Sequence, residues 1–163
     1  MSILLIDPSA DVGEEVVTRL VRQGDEVRVL ERNPTRASLW TRLGAHVARG
    51  DPSDDDLIER AATNCRTIVT FTDDDGLLAT ATRAARAARV ERMIAVVQKA
   101  RDVPGDVEVI VLVARPKGLF RKPTPALMIA AAVDAADDAA HIPVKVLDLD
   151  ESDSWASLGL TAP

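Results

Sequence analysis

The sequence has 163 residues, which at roughly 150 residues per domain predicts one compact domain. Apolar residues make up 47% and charged residues 28%, a balance typical of a folded globular protein and not of a disordered chain. The 26 acidic and 20 basic residues give a formal net charge of -6, which argues against nucleic-acid binding by neutralisation of phosphates.

Residue counts exclude several kinds of chemistry. The single cysteine, Cys65, allows neither an internal disulfide nor a two-cysteine redox pair. The two histidines, His46 and His141, are far apart in the sequence, and we predict no metal site. The chain has no tyrosine, so no phenol can act as acid or base. No basic leader precedes the first apolar run, and no run reaches about 18 residues, so we expect a cytoplasmic protein without membrane contact.

Short apolar runs alternate with helical patterns along the whole chain. In order, the patterns predict strand 3–6, helix 12–21, strand 27–30, helix 35–43, strand 45–48, helix 55–62, strand 67–72, helix 77–88, strand 93–97, strand 107–113, helix 127–140 and strand 144–149. This alternation predicts an α/β fold with a doubly wound, mainly parallel sheet between two helix layers. We assign residues 1–150 to this domain and 151–163 to a polar C-terminal tail.

The first turn after a strand resembles a dinucleotide-binding loop. Residues 7–13 read Asp-Pro-Ser-Ala-Asp-Val-Gly, and only Gly13 of the usual glycines is present. Here the chain resembles the NmrA-like, atypical short-chain dehydrogenase/reductase family, whose Gly-x-x-Gly-x-x-Gly loop falls on Asp7, Ala10 and Gly13. The resemblance continues, over most of residues 1–150, through segments 27–37, 43–51, 84–94 and 114–119.

The resemblance implies an NADP or NAD cofactor at the carboxyl ends of the strands. Arg32 takes the place of that family's basic residue for the NADP 2′-phosphate, and Asp51 the place of its acid beside the adenine. With the loops that follow the strands, the implied cofactor-binding residues are Ser9, Ala10, Val12, Gly13, Arg32, Asn33, Asp51, Pro52, Phe71 and Thr72. Two departures, Asp7 and Asp11, place carboxylates near the positive end of the first helix, where they would cap N–H groups but repel a pyrophosphate.

The carbonyl-reducing members of that family use a Tyr-x-x-x-Lys motif, which this chain lacks. The remaining catalytic candidates are Asp7, Asp11, Asp73 and Lys99. For Lys99 we favour the alternative of a solvated charge at a strand end. Asp73 begins an Asp-Asp-Asp-Gly run similar to the acidic turn of potassium-uptake regulatory domains of the same fold, and this run would bind a cation or cap the next helix.

One basic cluster follows the sixth predicted strand. It contains Arg115, Lys117, Arg121 and Lys122. At the ligand-binding edge these cations would clamp a phosphate or carboxylate, and the alternative is a solvated loop.

These observations leave several functions open. The first is a nucleotide or metabolite sensor, or a pseudoenzyme that binds a protein partner or a second copy of itself. The alternative is a small enzyme of specialised metabolism, an isomerase, a cyclase or an unusual NAD(P)H-dependent reductase, in the same cleft. A receiver-like signalling domain is suggested by Asp7, Asp51, Thr72 and Lys99, although residues 48–50 lack the apolar approach to Asp51. A purely structural subunit is the last possibility.

Overall fold

The chain forms a three-layer α/β/α structure. The computed structural model describes residues 1–103, 107–116, 122–140, 142 and 145–161. The elements are β1 (Ser2–Ile6), α1 (Ala10–Gln23), β2 (Glu26–Glu31), α2 (Pro34–Arg42), β3 (His46–Arg49), α3 (Asp55–Ala61), β4 (Thr67–Thr70), α4 (Asp75–Ala87), β5 (Arg92–Val97), β6 (Glu108–Val113), α5 (Ala126–Asp138), β7 (Val146–Asp148) and α6 (Ser152–Ser157).

The strands form one parallel sheet in the order β3-β2-β1-β4-β5-β6-β7. The chain builds outward from β1 to β3, then returns to place β4 on the other side of β1. A crevice therefore opens beyond the carboxyl ends of β1 and β4, where doubly wound sheets bind their ligands. The predicted fold class is confirmed.

Two apolar layers hold the helices on the sheet. Along β1, Ile3 and Leu5 belong to the core on the side of α1 and α5, and Leu4 and Ile6 to the core on the side of α3 and α4. Successive strand side chains point to opposite faces, so a strand buried on both sides must be apolar throughout. This explains the continuous apolar run that marks β1 in the sequence.

Two arginines at the amino ends of β4 and β5 cap the last turn of α5, which has no basic residue of its own. Arg92 donates to the carbonyl groups of Ala136 and Asp137, the latter at 3.1 Å. Arg66 pairs with the Asp137 carboxylate at 2.7 Å. Cations at a helix C-terminus oppose its negative pole, so these two arginines replace the missing cap.

The segment after β7, predicted to be a polar tail, contains a short helix. Residues 152–157 form α6, and Trp155 is only 3% exposed within the main core. The Trp155 indole donates to the carbonyl of Leu149 at 2.9 Å, which fastens this segment to the end of the sheet. The predicted strand 67–72 is also shorter, because β4 ends at Thr70. Across the described ranges, no helix is long and apolar enough to span a membrane.

Candidate functional site

The turn between β1 and α1 begins with a left-handed residue. Asp7 has φ 45°, a conformation that glycine adopts freely and that Asp and Asn tolerate best among other residues. The Asp7 N–H donates to the carbonyl of Leu30 at 2.9 Å, so the turn remains bonded to β2. The chain therefore makes a tight turn where the resembling family has a glycine.

Gly13 is required for the close packing of α1. A Cβ atom at this position would lie 2.6 Å from Pro8 Cβ and 2.9 Å from Trp40 Cη2. Real Cβ atoms do not approach other carbons so closely. The retained glycine therefore seats the first turn of α1 against Pro8 and α2.

The amino end of α1 presents backbone N–H groups to the crevice. Ser9 is the N-cap residue, and its side chain makes no capping hydrogen bond. Ser9, Ala10 and Asp11 are all exposed. Unbonded N–H groups and the positive end of a helix together favour an anion. Val12 lies in the same turn and is half-buried, with its side chain packed against the main core.

A buried carboxylate closes β2. Glu31 is 0% exposed and accepts hydrogen bonds from the Trp40 indole at 3.0 Å, the Asn33 N–H at 2.8 Å and the Arg36 guanidinium at 3.0 Å. Arg36 also donates to Asp7 at 2.7 Å and to the Pro8 carbonyl at 3.3 Å. This network joins the turn, the strand and α2 into one unit.

Glu31, Arg36 and Trp40 are not among the site residues predicted from the sequence. A signal for them was present, because a carboxylate that ends an apolar strand and a buried indole each require a hydrogen-bond partner. Their partnership becomes visible only when α2 is placed on the sheet.

The two predicted residues that follow Glu31 have different environments. Arg32 is 54% exposed, and its only described ion pair is with Asp7, at 3.4 Å. Asn33 caps α2, because its side-chain oxygen accepts the N–H groups of Thr35 at 2.9 Å and Arg36 at 3.3 Å. Arg32 is therefore available to a ligand, whereas the Asn33 side chain is already used.

Asp51 and Pro52 lie beyond β3, beside the same turn. Asp51 is exposed and accepts the Ser53 N–H at 2.9 Å and the Ser53 hydroxyl at 2.8 Å. These bonds, the backbone one first, lower the pKa of Asp51 below its usual 3.8. The Asp51 side chain therefore stays ionised at neutral pH and orders the loop before α3.

A small cavity of about 50 Å³ separates the turn from the end of β4. It is lined by Ile6, Asp7, Pro52, Thr70, Phe71, Thr72 and Leu77. Thr70 is 1% exposed, and its hydroxyl has no hydrogen-bond partner among the described residues. A buried hydroxyl without a partner costs free energy, so a ligand that bonds to Thr70 would be favoured.

A larger cavity of about 240 Å³ lies beyond β4, β5 and β6. Its lining residues are Ser9, Val12, Phe71, Asp73, Val96, Val97, Gln98, Ala114, Arg115, Pro116, Pro123, Thr124 and Ile129. The predicted residues Ser9, Val12, Phe71, Asp73 and Arg115 therefore share one cavity. Lys99 is exposed and is not one of the lining residues.

Asp73 is held in place by neighbours. Its carboxylate accepts the Gln98 N–H at 3.0 Å and pairs with Arg101 at 3.0 Å. Asp74 caps α4 by accepting the Leu77 N–H at 2.8 Å, and Asp75 pairs with Arg101 at 2.7 Å. The acidic run thus caps a helix and a strand end, and no group of three or more potential metal ligands occurs among the described residues.

Of the two described members of the basic cluster, Arg115 and Lys122, Arg115 lines the cavity. It pairs with Asp148 at 2.8 Å and with Asp150 at 3.2 Å, and the bond with Asp148 in particular raises the pKa of Arg115. Lys122 is exposed, whereas Lys117 and Arg121 lie outside the described residues. Arg115 is therefore already neutralised by carboxylates of the segment that contains β7.

The crevice at the sheet crossover and the tight turn into α1 are those of a Rossmann-type NAD(P)-binding domain. The chain belongs to the TrkA-N domain family, whose model matches residues 10–113. The predicted resemblance to Rossmann-type NAD(P)-binding proteins is confirmed. A comparison with curated proteins finds no match.

Solved structures share the fold at low sequence identity. ChuY, an anaerobilin reductase from Escherichia coli O157:H7, is 14% identical with a TM-score of 0.72, over 91% of this chain and 96% of ChuY. Vestitone reductase from alfalfa is 13% identical with a TM-score of 0.66, over 90% and 76%. The Escherichia coli quinone oxidoreductase in complex with NADPH is 18% identical with a TM-score of 0.52, over 58% and 36%. The chain thus spans nearly all of ChuY and about a third of the quinone oxidoreductase.

The residues present fit the adenosine half of a dinucleotide. The amino end of α1 suits a pyrophosphate, the Thr70 hydroxyl beside the turn has no partner among the described residues, and Arg32 is exposed for a phosphate. Asp7 and Asp11 oppose this fit, because their carboxylates lie in the turn before α1 and in its first helical turn.

Proposed function

We propose that the protein is an NADP(H)-responsive sensor that binds the dinucleotide without catalysing its oxidation or reduction. The observation that carries this proposal is that the charged residues of the large cavity are already paired. The nicotinamide end of a dinucleotide would lie in this cavity. Its two charged lining residues are Asp73 and Arg115, and each is bound in an ion pair with the protein. The chain has no tyrosine, and neither of these two described ionisable side chains is free to transfer a proton there.

The preference for NADP(H) over NAD(H) rests on Glu31. In dinucleotide folds an acid at the end of the second strand selects NAD by binding the ribose 2′-hydroxyl, and a nearby arginine selects NADP. The Glu31 carboxylate points into the protein, with both oxygens bonded to described residues. Arg32 is exposed beside it and would bind a 2′-phosphate.

Each remaining residue has a definite task in this proposal. The N–H groups at the start of α1 would hold the pyrophosphate, and Thr70 would donate a hydrogen bond to the adenosine. When bound, the dinucleotide supplies a hydride donor or acceptor at its nicotinamide ring. The described cavity has a volume of about 240 Å³, somewhat below the roughly 300–1,000 Å³ of typical ligand sites.

Calorimetric titration tests the proposal. NADPH should bind at least about tenfold more tightly than NADH, because a charge-assisted contact to phosphate is worth more than about 1.4 kcal/mol. Arg32→Ala should abolish this preference. The matched control is Arg42→Ala, which removes an exposed arginine from the other end of α2. If neither NADPH nor NADH binds, the proposal is overturned.

A tyrosine-free reductase is the second candidate. The cavity is lined largely by apolar side chains such as Val12, Phe71 and Val96, which suits a hydride transfer sheltered from water. The chain also spans nearly the whole of ChuY, which is an anaerobilin reductase. An assay of NADPH oxidation decides between the sensor and the reductase. The absorbance of NADPH is followed in the presence of anaerobilin or of each of a set of quinones. Turnover with any of them favours the reductase, and binding without turnover favours the sensor.

A further inference from the structure

Asp7 lies between two guanidinium groups. Its Oδ1 is 2.7 Å from Arg36 Nη2, and its Oδ2 is 3.4 Å from Arg32 Nη2. The carboxylate is 26% exposed, and Asp7 also lines the small cavity between the turn and β4. One residue of the dinucleotide turn therefore carries a negative charge that is shared by the two arginines after β2.

We propose that Asp7 is an internal competitor for the ribose 2′-phosphate. The inference rests on the proposed function, since it concerns the way that the same site admits NADP(H). In the free protein the Asp7 carboxylate holds Arg32, and a 2′-phosphorylated nucleotide must displace it. The Asp7 side chain thereby lowers the affinity for 2′-phosphorylated ligands. Ligands with a free 2′-hydroxyl do not take part in this exchange, so it does not lower their affinity.

The two arginines differ in their ability to exchange partners. Arg36 is fixed by three acceptors, Asp7, Glu31 at 3.0 Å and the Pro8 carbonyl at 3.3 Å, and its side chain is 30% exposed. Arg32 is 54% exposed and is joined to Asp7 by the longer contact. Arg32 is therefore the side chain that exchanges Asp7 for a phosphate, while Arg36 keeps Asp7 in place.

The chemistry favours the exchange when a phosphate is present. A phosphate monoester carries more charge than a carboxylate and offers three acceptor oxygens, so an arginine forms the stronger bidentate pair with it. An exposed ion pair such as Asp7–Arg32 contributes little to stability. The competition is therefore reversible, and its strength sets the ligand concentration at which the protein responds.

Two substitutions at Asp7 separate its charge from its backbone conformation. Asp7→Asn removes the charge and tolerates φ 45°, and Asp7→Gly removes the side chain and adopts this φ without strain. Asp11→Asn is the control, because it removes an exposed carboxylate from the first turn of α1 and hence measures general repulsion of the ligand.

The experiment is a calorimetric titration of each full-length variant with four ligands. NADPH and adenosine 2′,5′-bisphosphate carry the 2′-phosphate, and NADH and AMP do not. We expect both Asp7 variants to bind the first two about twofold to fivefold more tightly than the unaltered protein. Their effect on NADH and AMP should not exceed that of Asp11→Asn. In the double variant Asp7→Asn/Arg32→Ala the gain should disappear, because no exchange remains.

Several results would overturn the inference. Equal tightening for NADH and NADPH would show that Asp7 repels any nucleotide. Unchanged affinity in the Asp7 variants, with NADPH binding that depends on Arg32, would refute the competition while the proposed function stands. Failure of every variant to bind any of the four ligands would refute both.

Discussion

The indole N–H of Trp40 donates to Oε2 of Glu31 at 3.0 Å, and both side chains are 0% exposed. The other oxygen, Oε1, accepts from the Asn33 N–H and from Arg36. A buried carboxylate is tolerated only when charged and polar partners satisfy both oxygens. This pair therefore holds β2, α2 and the dinucleotide turn in one arrangement.

Replacing Glu31 by Gln should destabilise the fold strongly. The amide keeps the volume but presents an NH₂ group to donors, so either Trp40 or Arg36 loses its acceptor. We expect a loss of about 2–4 kcal/mol in the free energy of unfolding, measured by urea denaturation. Glu26→Gln, at the exposed start of the same strand, should cost less than about 1 kcal/mol. Equal costs for the two variants would contradict the role given to Glu31.

The end of α5 offers a comparison of two neighbouring aspartates. Asp137 is 2% exposed, pairs with Arg66 and accepts the hydroxyl of Thr67, whereas Asp138 has a 66% exposed side chain. Asp137→Asn should cost about 2–4 kcal/mol, because the half-buried Arg66 loses the charge of its buried partner and Thr67 loses a carboxylate acceptor. Asp138→Asn should change the stability by less than about 0.5 kcal/mol. Thermal and urea unfolding of both variants measure the difference, and similar values would refute the proposed cap.

The order of strands and helices could be predicted from the sequence because it depends on local periodicity. An apolar run such as residues 3–6 and a helical stripe such as 12–21 each specify their element without reference to the rest of the chain. Trp155 and Leu158 lie at helical spacing among the polar residues at α6. A pattern of two residues is too short to distinguish a docked helix from a tail.

The position of the candidate site could be predicted for a related reason. In a parallel sheet every carboxyl end lies on one edge, so the loops after the strands must meet. The partner of each charged side chain could not be predicted, because the ion pairs Asp73–Arg101 and Arg115–Asp148 join segments far apart in the sequence. Such pairing depends on tertiary geometry, which residue spacing does not encode.

Gly13 should tolerate no side chain. In Gly13→Ala the new methyl group meets Pro8 and Trp40 at distances below 3.0 Å, so the first turn of α1 must shift. We expect a loss of about 1–3 kcal/mol in the free energy of unfolding, as for other overpacked sites. Glu14→Ala, an exposed change on the next residue of the same helix, should remain within about 0.5 kcal/mol. A neutral Gly13→Ala would mean that α1 is not seated as closely as described.

The Asp51 loop should make a small contribution to stability that depends on pH. The Ser53 N–H and then the Ser53 hydroxyl lower the pKa of Asp51 in the folded state below its usual 3.8. A depressed pKa means that the folded state favours the ionised form. The contribution is therefore present above about pH 4 and is lost as the pH falls through the folded pKa.

Nuclear magnetic resonance titration of the Asp51 side-chain carbonyl carbon measures this shift directly. We expect a midpoint below 3.8 in the unaltered protein and a higher midpoint in Ser53→Ala, which removes the hydroxyl donor but keeps the backbone N–H. Ser38→Ala, whose hydroxyl donates to the Pro34 carbonyl on α2, should leave the Asp51 midpoint unchanged. An Asp51 midpoint that Ser53→Ala does not raise would show that the hydroxyl bond contributes nothing, and the order of this loop would then rest on the backbone bond alone.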